Sequence, residues 1–426
     1  MNIDRRSRWV RQVIGGYLVG ALEPLLFCLA FLWRRVLLNT RFVLVTGSLG
    51  KTTTKELLGQ ILAQHHSTFR SVRTQNAQRL LLLNVLRVRP WHRFAIIEAG
   101  TARPGMLIRA SRLLRPDAVV ILMVAGTHRR GFSSLEVTAK EKLSALKGLK
   151  RGGTAILNGD DPRLNSVESN ENFQVLRFGT SLTCDLRADR IEGQWPARLA
   201  FEARSSTETA NVRTRLVGTH WVPALLASLL TAKHFGLQLG KAAEITARIR
   251  PFSARMQPVQ LPSGAIIIRD EYNGSPPSYE MALQAFKSAE AERKILIVGD
   301  YSDSTIKRRR RLKRLGRTAA SLCDLAIFIG EYSHYSREAA IQSGLDPASA
   351  LIFSYPQDAV SRVKEELRKG DLVLLKSRSN DHLSRLLFAQ VGDVLCWRPT
   401  CQERFLCDIC WRLGCNGSDM AKIKPV

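Results

Sequence analysis

The sequence predicts an α/β protein with two parallel-sheet domains: a central P-loop-type domain over residues 42–250 and a smaller, Rossmann-like domain over 251–392. Three observations predict it. The β-branched apolar run Phe42–Val45 passes directly into a glycine turn and a helix start. Short apolar runs then alternate with helical segments, the pattern of repeated strand–helix units in a parallel sheet. A second series of the same kind opens after Pro251. An apolar, basic segment (1–41) precedes the two domains, and a cysteine-rich tail (393–426) follows them.

In the N-terminal segment, Arg5, Arg6, Arg8 and Arg11 precede the apolar stretch Val13–Trp33, and Arg34, Arg35 and Arg41 follow it. The stretch is long enough to cross a hydrocarbon core of about 30 Å, but Glu23-Pro24 interrupts it. Arginines on both flanks give no orientation bias. A bent or interfacial helix would keep both flanks on one side of a membrane; a helix buried in the soluble fold is the alternative. The expected address is the inner face of the cytoplasmic membrane, with the membrane surface as a partner.

Next comes Arg41-Phe-Val-Leu-Val-Thr-Gly-Ser-Leu-Gly-Lys-Thr-Thr-Thr-Lys-Glu56. Gly47 and Gly50 let the backbone approach an anion closely. The helix beginning near Thr52 turns its free N–H groups and positive dipole end toward that anion. Thr46, Gly47, Ser48, Gly50, Lys51, Thr52 and Thr53 are therefore expected to bind a nucleotide phosphate, with the Thr52 hydroxyl on Mg²⁺. Phe94–Ile97 reads as a strand ending at Glu98, Ala118–Val124 as a strand ending near His128, Glu136–Leu149 as a helix carrying Lys140, and Thr154–Leu157 as a strand ending at Asn158. Ligands of such sheets sit outside the carboxyl ends of the strands, so these segments converge on one crevice, with Glu98 and His128 as metal-ligand candidates. Residues 173–217 read as short strands and Leu216–Phe235 as a helix. In the second domain, Ala265–Ile268, Lys294–Val298, Leu325–Ile329 and Leu372–Leu375 read as strands, with Asp270–Pro277 as a loop.

Composition narrows the partners. The 64 basic against 37 acidic residues, a net charge of +27, favour an acidic substrate, an anionic lipid or nucleic acid. The densest run, Lys307–Arg314, lacks interleaved aromatics that would stack bases. It reads as a solvated helix face, and nucleic acid is not the expected partner.

The motifs Val45-Thr-Gly-Ser-Leu-Gly-Lys-Thr-Thr53, Ile96-Ile-Glu-Ala-Gly100, His128 with Gly131-Phe-Ser-Ser134, Ala139-Lys140, Leu157-Asn-Gly-Asp-Asp161, Leu216-Val-Gly-Thr-His220, Ala254-Arg255, Asp270-Glu-Tyr-Asn273, Gly299-Asp300 and Lys376-Ser-Arg-Ser379 occur in this order. Together they resemble the Mur ligase family, most closely its D-alanyl-D-alanine-adding branch. The resemblance implies an ATP- and Mg²⁺-dependent, ADP-forming ligase that joins a carboxylate to an amine through an acyl phosphate. It implies that Lys51, His128 and Lys140 are catalytic, Lys140 as a carbamylated metal ligand beside Thr52, Glu98 and His128. It further implies nucleotide contacts from Asn158, His220, Arg255, Asp270, Tyr272 and Asn273. The chain departs from the family pattern at Arg130 and Trp221, and only Gln75-Asn76 survives of the family's substrate loop. The early position of the phosphate loop leads us to expect no UDP-sugar-binding domain ahead of it. An apolar segment running straight into that loop is similar to the membrane-linked poly-γ-glutamate synthase ligase. The expected acid is thus an envelope-related peptide, amino acid or polymer. Two alternatives are an ATP-binding, catalytically weakened membrane scaffold and a basic, zinc-tailed nucleic-acid-binding ATPase.

The tail holds Cys396, Cys401, Cys407, Cys410 and Cys415. Cys407-Asp-Ile-Cys410 has the knuckle spacing of zinc sites. The expected ligands are Cys401, Cys407, Cys410 and Cys415, with Cys396 spare or substituting.

Overall fold

A computed structural model of the chain describes residues 23–72, 78–126, 131–302, 304–399, 401, 406–415 and 417–426. Residues 1–22, Gln75, Asn76, His128 and Arg130, singled out above, lie outside them.

The first domain opens with helix α1 (23–36). There follow β1 (Arg41–Thr46), α2 (Lys51–Ala63), β2 (Thr68–Arg70), α3 (Gln78–Arg87), β3 (Phe94–Glu98), α4 (Met106–Leu114), β4 (Ala118–Ile121), α5 (Leu135–Leu143), β5 (Gly153–Asn158) and β6 (Phe173–Gly179). The chain continues through β7 (Leu186–Glu192), β8 (Ala200–Arg204), β9 (Thr209–Arg213), α6 (Val222–His234) and α7 (Leu239–Arg248). Among the described residues the strands form one nine-stranded sheet in the order β2-β3-β1-β4-β5-β6-β7-β8-β9. Pairing is parallel from β2 to β7 and antiparallel from β7 to β9.

β1 shows why this sheet is covered on both faces. Successive side chains of a strand point to opposite sides. Val43 and Val45 enter a core with Leu57, Leu58 and Ile61 of α2 and Leu225, Leu226 and Leu229 of α6. Phe42 and Leu44 enter another, with Leu82 and Val85 of α3 and Leu107 and Leu114 of α4. Ala30 and Leu37 join that second core. So α1 lies against the domain, with Glu23 and Pro24 in its first described turn. No helix of the described residues is long and apolar enough to cross a membrane.

The second domain comprises β10 (Gln257–Gln260), β11 (Ile266–Asp270), α8 (Pro276–Ser288), β12 (Arg293–Val298), α9 (Arg308–Ala320), β13 (Leu325–Ile329), α10 (His334–Gln342), β14 (Ala350–Phe353), α11 (Val360–Glu366), β15 (Asp371–Lys376) and α12 (Ser384–Phe388). A two-residue strand, β16 (Lys424–Pro425), completes a seven-stranded sheet ordered β14-β13-β12-β15-β11-β10-β16. It pairs with β10, so the cysteine-rich tail contributes an edge to this sheet. Ile268, Leu296 and Leu374 extend the core that holds Val43 and Val45, which joins the two domains through one apolar cluster. Val394, Cys407 and Leu413 pack with Ile267, Ile295 and Val373 on the opposite face.

Several sequence-read boundaries shift. The expected helix Leu216–Phe235 begins at Val222, because Gly218 at φ 95° and a 3₁₀ turn over Thr219–Trp221 precede it. The expected helix Glu136–Leu149 ends at Leu143 and tightens into a 3₁₀ turn over Ser144–Gly148.

Candidate active site

The turn after β1 is fixed by two glycines. Gly47 has φ 141°, and a Cβ there would lie 2.9 Å from Leu122 Cβ. Gly50, at φ 82°, is the left-handed N-cap of α2 and carries no capping side chain. The first N–H groups of α2 thus stay open to an anion. Ser48 holds the turn against the β4 loop: its hydroxyl donates to Ala125 O at 3.0 Å and accepts from Ala125 N at 2.9 Å. Lys51 Nζ donates to Gly47 O at 2.9 Å and Ser48 O at 3.0 Å, so its charge lies over the turn. Desolvation lowers its pKa, against the pull of Glu98. The Thr52 hydroxyl donates to Glu98 Oε2 at 2.9 Å. The hydroxyls of Thr46 and Thr53 are buried without a hydrogen-bond partner among the described residues. A hard-oxygen pair from Thr52 and Glu98 beside a bare helix N-terminus suits Mg²⁺ with a polyphosphate.

α5 places the expected Lys140 and a second lysine, Lys142, in different surroundings. Lys140 is exposed, whereas Lys142 is buried, 2% accessible. Burial depresses the Lys142 pKa well below its ordinary value, and the nearby Lys51 charge adds to the effect. A two-residue step turns a helical side chain through about 200°, so Lys140 and Lys142 face opposite ways. Glu141 is structural: its carboxylate accepts from the N–H groups of Gly105 at 2.7 Å and Leu107 at 2.9 Å.

The second domain closes the site. A cleft of about 1000 Å³ runs between the domains and is lined by Leu49 and Gly50 on one side and by Arg255, Asp270 and Asn273 on the other. Its far wall carries Asp160, Thr180, Gly218, His220 and Trp221. Asn158 does not line it: the Asn158 Oδ1 accepts from Asp160 N at 3.0 Å, so the side chain shapes the turn that presents Asp160. His220 stacks on Trp221 with ring centroids 4.6 Å apart. Burial lowers the His220 pKa to about 4, with Asp270 opposing and Lys376 assisting the shift. The Arg255 guanidinium lies 4.5 Å from the Tyr272 ring centroid, and burial raises the Tyr272 pKa.

Lys376, quoted above only within a motif, organises the loop after β11. It is fully buried at the end of β15. Its ammonium donates to Asp270 Oδ2, to Asn273 O at 2.7 Å and to Ser278 Oγ at 2.7 Å. Asp270 Oδ1 also accepts from Met256 N at 3.2 Å. The Asp270–Asn273 loop is therefore held open toward the cleft by a buried cation. The signal in the sequence was the apolar strand Leu372–Leu375 ending in a lysine.

The expected cysteine tetrad is not assembled. Cys415 Sγ turns to Phe388 O and Asp393 O, away from Cys407. Among the described residues no group of three or more His, Cys, Asp or Glu is arranged to hold a metal ion. The basic run forms α9, where Arg311 and Arg308 pair with Asp300 and Arg309 lies over Tyr335.

Two domains of this topology around a phosphate loop define a two-lobed α/β nucleotide-site protein. Residues 45–232 match the Mur ligase middle domain and residues 254–379 the glutamate ligase domain of Mur ligases, and the chain belongs to the Mur ligase family. It is 28% identical over 352 residues to a UDP-N-acetylmuramoyl-tripeptide–D-alanyl-D-alanine ligase of Bacillus subtilis, covering 82% of this chain and 76% of that protein. Identity to the Escherichia coli protein of the same name is 28% over 305 residues, covering 71% and 67%. Among solved structures, MurF from Acinetobacter baumannii superposes with a TM-score of 0.77 at 22% identity, covering 85% of this chain and 79% of that one. MurF from Thermotoga maritima, solved with ADP, gives 0.74 at 22% identity, covering 86% and 83%.

Proposed function

We propose that the chain is an ATP-dependent carboxylate–amine ligase that works through an acyl phosphate. The observation carrying this reading is the single cleft in which the phosphate loop of one domain faces Arg255 and Asp270 of the other. Relatives named as UDP-N-acetylmuramoyl-tripeptide–D-alanyl-D-alanine ligases support it.

In the proposed reaction a carboxylate oxygen attacks the γ-phosphorus of ATP and the bond to the β-phosphate oxygen breaks, releasing ADP. The amine nitrogen then attacks the acyl carbon, phosphate leaves, and the nitrogen loses a proton. The open N–H groups of α2 and the Lys51 ammonium bind the polyphosphate and oppose its growing charge. Thr46, Gly47, Ser48 and Thr53 shape that cradle. Arg255 adds charge from the second domain, Asp270 serves the ribose, and Tyr272 and Asn273 complete that side. His220, held neutral by burial, and Trp221 offer a base-stacking wall. Mg²⁺ neutralises phosphate charge when bound, and Thr52 and Glu98 would hold it, with His128 assigned to the same shell by family likeness alone.

Lys142, rather than Lys140, is our candidate for carbamylation. Carbamylation needs a neutral amine: the nitrogen attacks CO₂, releases a proton and becomes a carbamate anion. Burial and the Lys51 charge both favour the neutral amine, and the Lys51 charge would then offset the carbamate anion.

The acid is proposed to be an envelope-related peptide, amino acid or polymer, and the amine an amino acid or dipeptide. The test is ADP and phosphate release with a panel of such acids and amines, D-alanyl-D-alanine included. Substrate-dependent turnover that Lys51→Ala abolishes would support the ligase; none across the panel would sink it.

One observation favours attachment to the cytoplasmic face of a membrane. Leu25, Leu29, Leu32 and Val36 are exposed at helical spacing along α1. Arg35 and Arg41 lie at the C-terminal end of this stripe, and such a face suits anionic lipid.

A further inference from the structure

The cysteine tail holds a second candidate site, which shares no lining residue with the nucleotide cleft. Cys396, Cys401, Cys407 and Cys410 line one small cavity with His382. Its volume is about 10 Å³, enough for a single ion or water. Arg385, Arg398 and Arg412 also line it. His382 is buried, 5% accessible, and adopts a left-handed φ of 52° that few non-glycine residues take. Its Nδ1 lies 3.4 Å from Cys407 Sγ, while Nε2 is buried with no hydrogen-bond partner among the described residues. A buried, half-satisfied imidazole in a ring of thiols is a costly arrangement for an apolar packing role.

We propose that Cys396, Cys401, Cys407 and Cys410 bind one Zn²⁺ as thiolates, with His382 positioning Cys407 from behind. The ligand set differs from the one that spacing suggested, since Cys415 faces Phe388 and Asp393. The set as placed is not closed. Binding releases the thiol protons and gathers the four sulfurs into a tetrahedron at about 2.3 Å from the ion. Zinc with four thiolates carries two net negative charges, which the three arginines around the cavity offset. The site would also clamp the tail to the second domain. Between the two knuckle cysteines, Asp408 accepts bidentate hydrogen bonds from the buried Arg269, at 2.8 Å each, and Arg269 precedes Asp270 of the cleft.

The test begins with full-length protein purified under reducing conditions without added metal, then loaded with Zn²⁺ alone. Elemental analysis should give about one zinc per chain, and cobalt(II) loading should give tetrahedral thiolate absorption bands. In the wild-type protein, bound zinc should shield four of the eight cysteines from a thiol reagent until a chelator is added. This readout needs no variant to fold. Cys407→Ser and Cys410→Ser should lose stoichiometric zinc, Cys415→Ser should keep it, and His382→Ala should weaken affinity by about 10- to 100-fold. Zinc-free protein that fails to load, iron with acid-labile sulfide in its place, or loss of zinc in Cys415→Ser would overturn the assignment.

Discussion

The Thr52 hydroxyl donates to Glu98 Oε2 at 2.9 Å, across the gap between the first turn of α2 and the end of β3. Two parallel strands, β1 and β3, paired Val45 to Glu98, set that distance. Glu98→Gln keeps the shape and removes the anion. Turnover should fall roughly 10- to 100-fold, as for loss of a metal-organising group. Raising Mg²⁺ should recover part of it. A titration of ADP release against Mg²⁺ decides this, and an unchanged Mg²⁺ dependence would count against Glu98 as a ligand.

The two lysines of α5 should separate cleanly. Lys142→Ala should lower turnover by about 10²-fold or more if it removes a metal-organising anion, with partial rescue by a small carboxylate added to the assay. Lys140→Ala, at an exposed position, should stay within about twofold. The reverse ranking would restore the reading taken from the sequence.

Asp270 and Lys376 form a buried pair, and breaking such a pair from one side costs about 3–5 kcal/mol. Asp270→Asn should therefore destabilise the second domain, and Asp270→Asn with Lys376→Met should recover part of the loss. Urea unfolding of the wild type, both single variants and the double variant measures the coupling.

His220 gives the cleft a pH signature. Its folded-state pKa of about 4 lies below the ordinary 6.5, so the unfolded chain binds the proton more readily between those values. Stability linked to His220 is complete above about pH 6.5 and falls as the pH drops toward 4. Thermal melts over this range should show a shallower decline for His220→Gln than for the wild type. Parallel curves would show that His220 titrates normally.

Leu29→Glu combined with Leu32→Glu should release the protein from anionic vesicles while leaving ADP release intact. Sedimentation at low and high salt reads this directly. Wild-type protein that stays in the supernatant with phosphatidylserine vesicles would remove the membrane reading.

Much of the architecture was legible because buried parallel strands announce themselves. Val43 to Val45, Ile295 to Val298 and Val373 to Leu375 are continuous apolar runs, since both their faces are covered. The phosphate loop was legible because its glycines, Lys51 and Thr52 are adjacent in sequence. What escaped was whatever depends on direction. Two residues along α5 exchange a solvent-facing lysine for a buried one. Cys415 has acceptable spacing but the wrong side of the chain. Asn158 sits at a strand end yet spends its side chain on the following turn. Lys376 acquires a role only because β15 lies between β11 and β12, a neighbourhood no local pattern encodes.

Arg34 carries a practical consequence for anyone shortening this chain. Its guanidinium donates to Leu114 O at 2.5 Å, Arg115 O at 3.1 Å and Leu37 O at 3.4 Å. It thereby caps the C-terminal end of α4 from outside that helix. Trimming the apolar N-terminal segment back to the phosphate loop, an obvious route to better expression, would strand the Leu114 and Arg115 carbonyls, at about 1–3 kcal/mol for each buried one. A cut placed before Glu23 keeps the cap and the Glu23–Arg79 ion pair, and is the design to prefer.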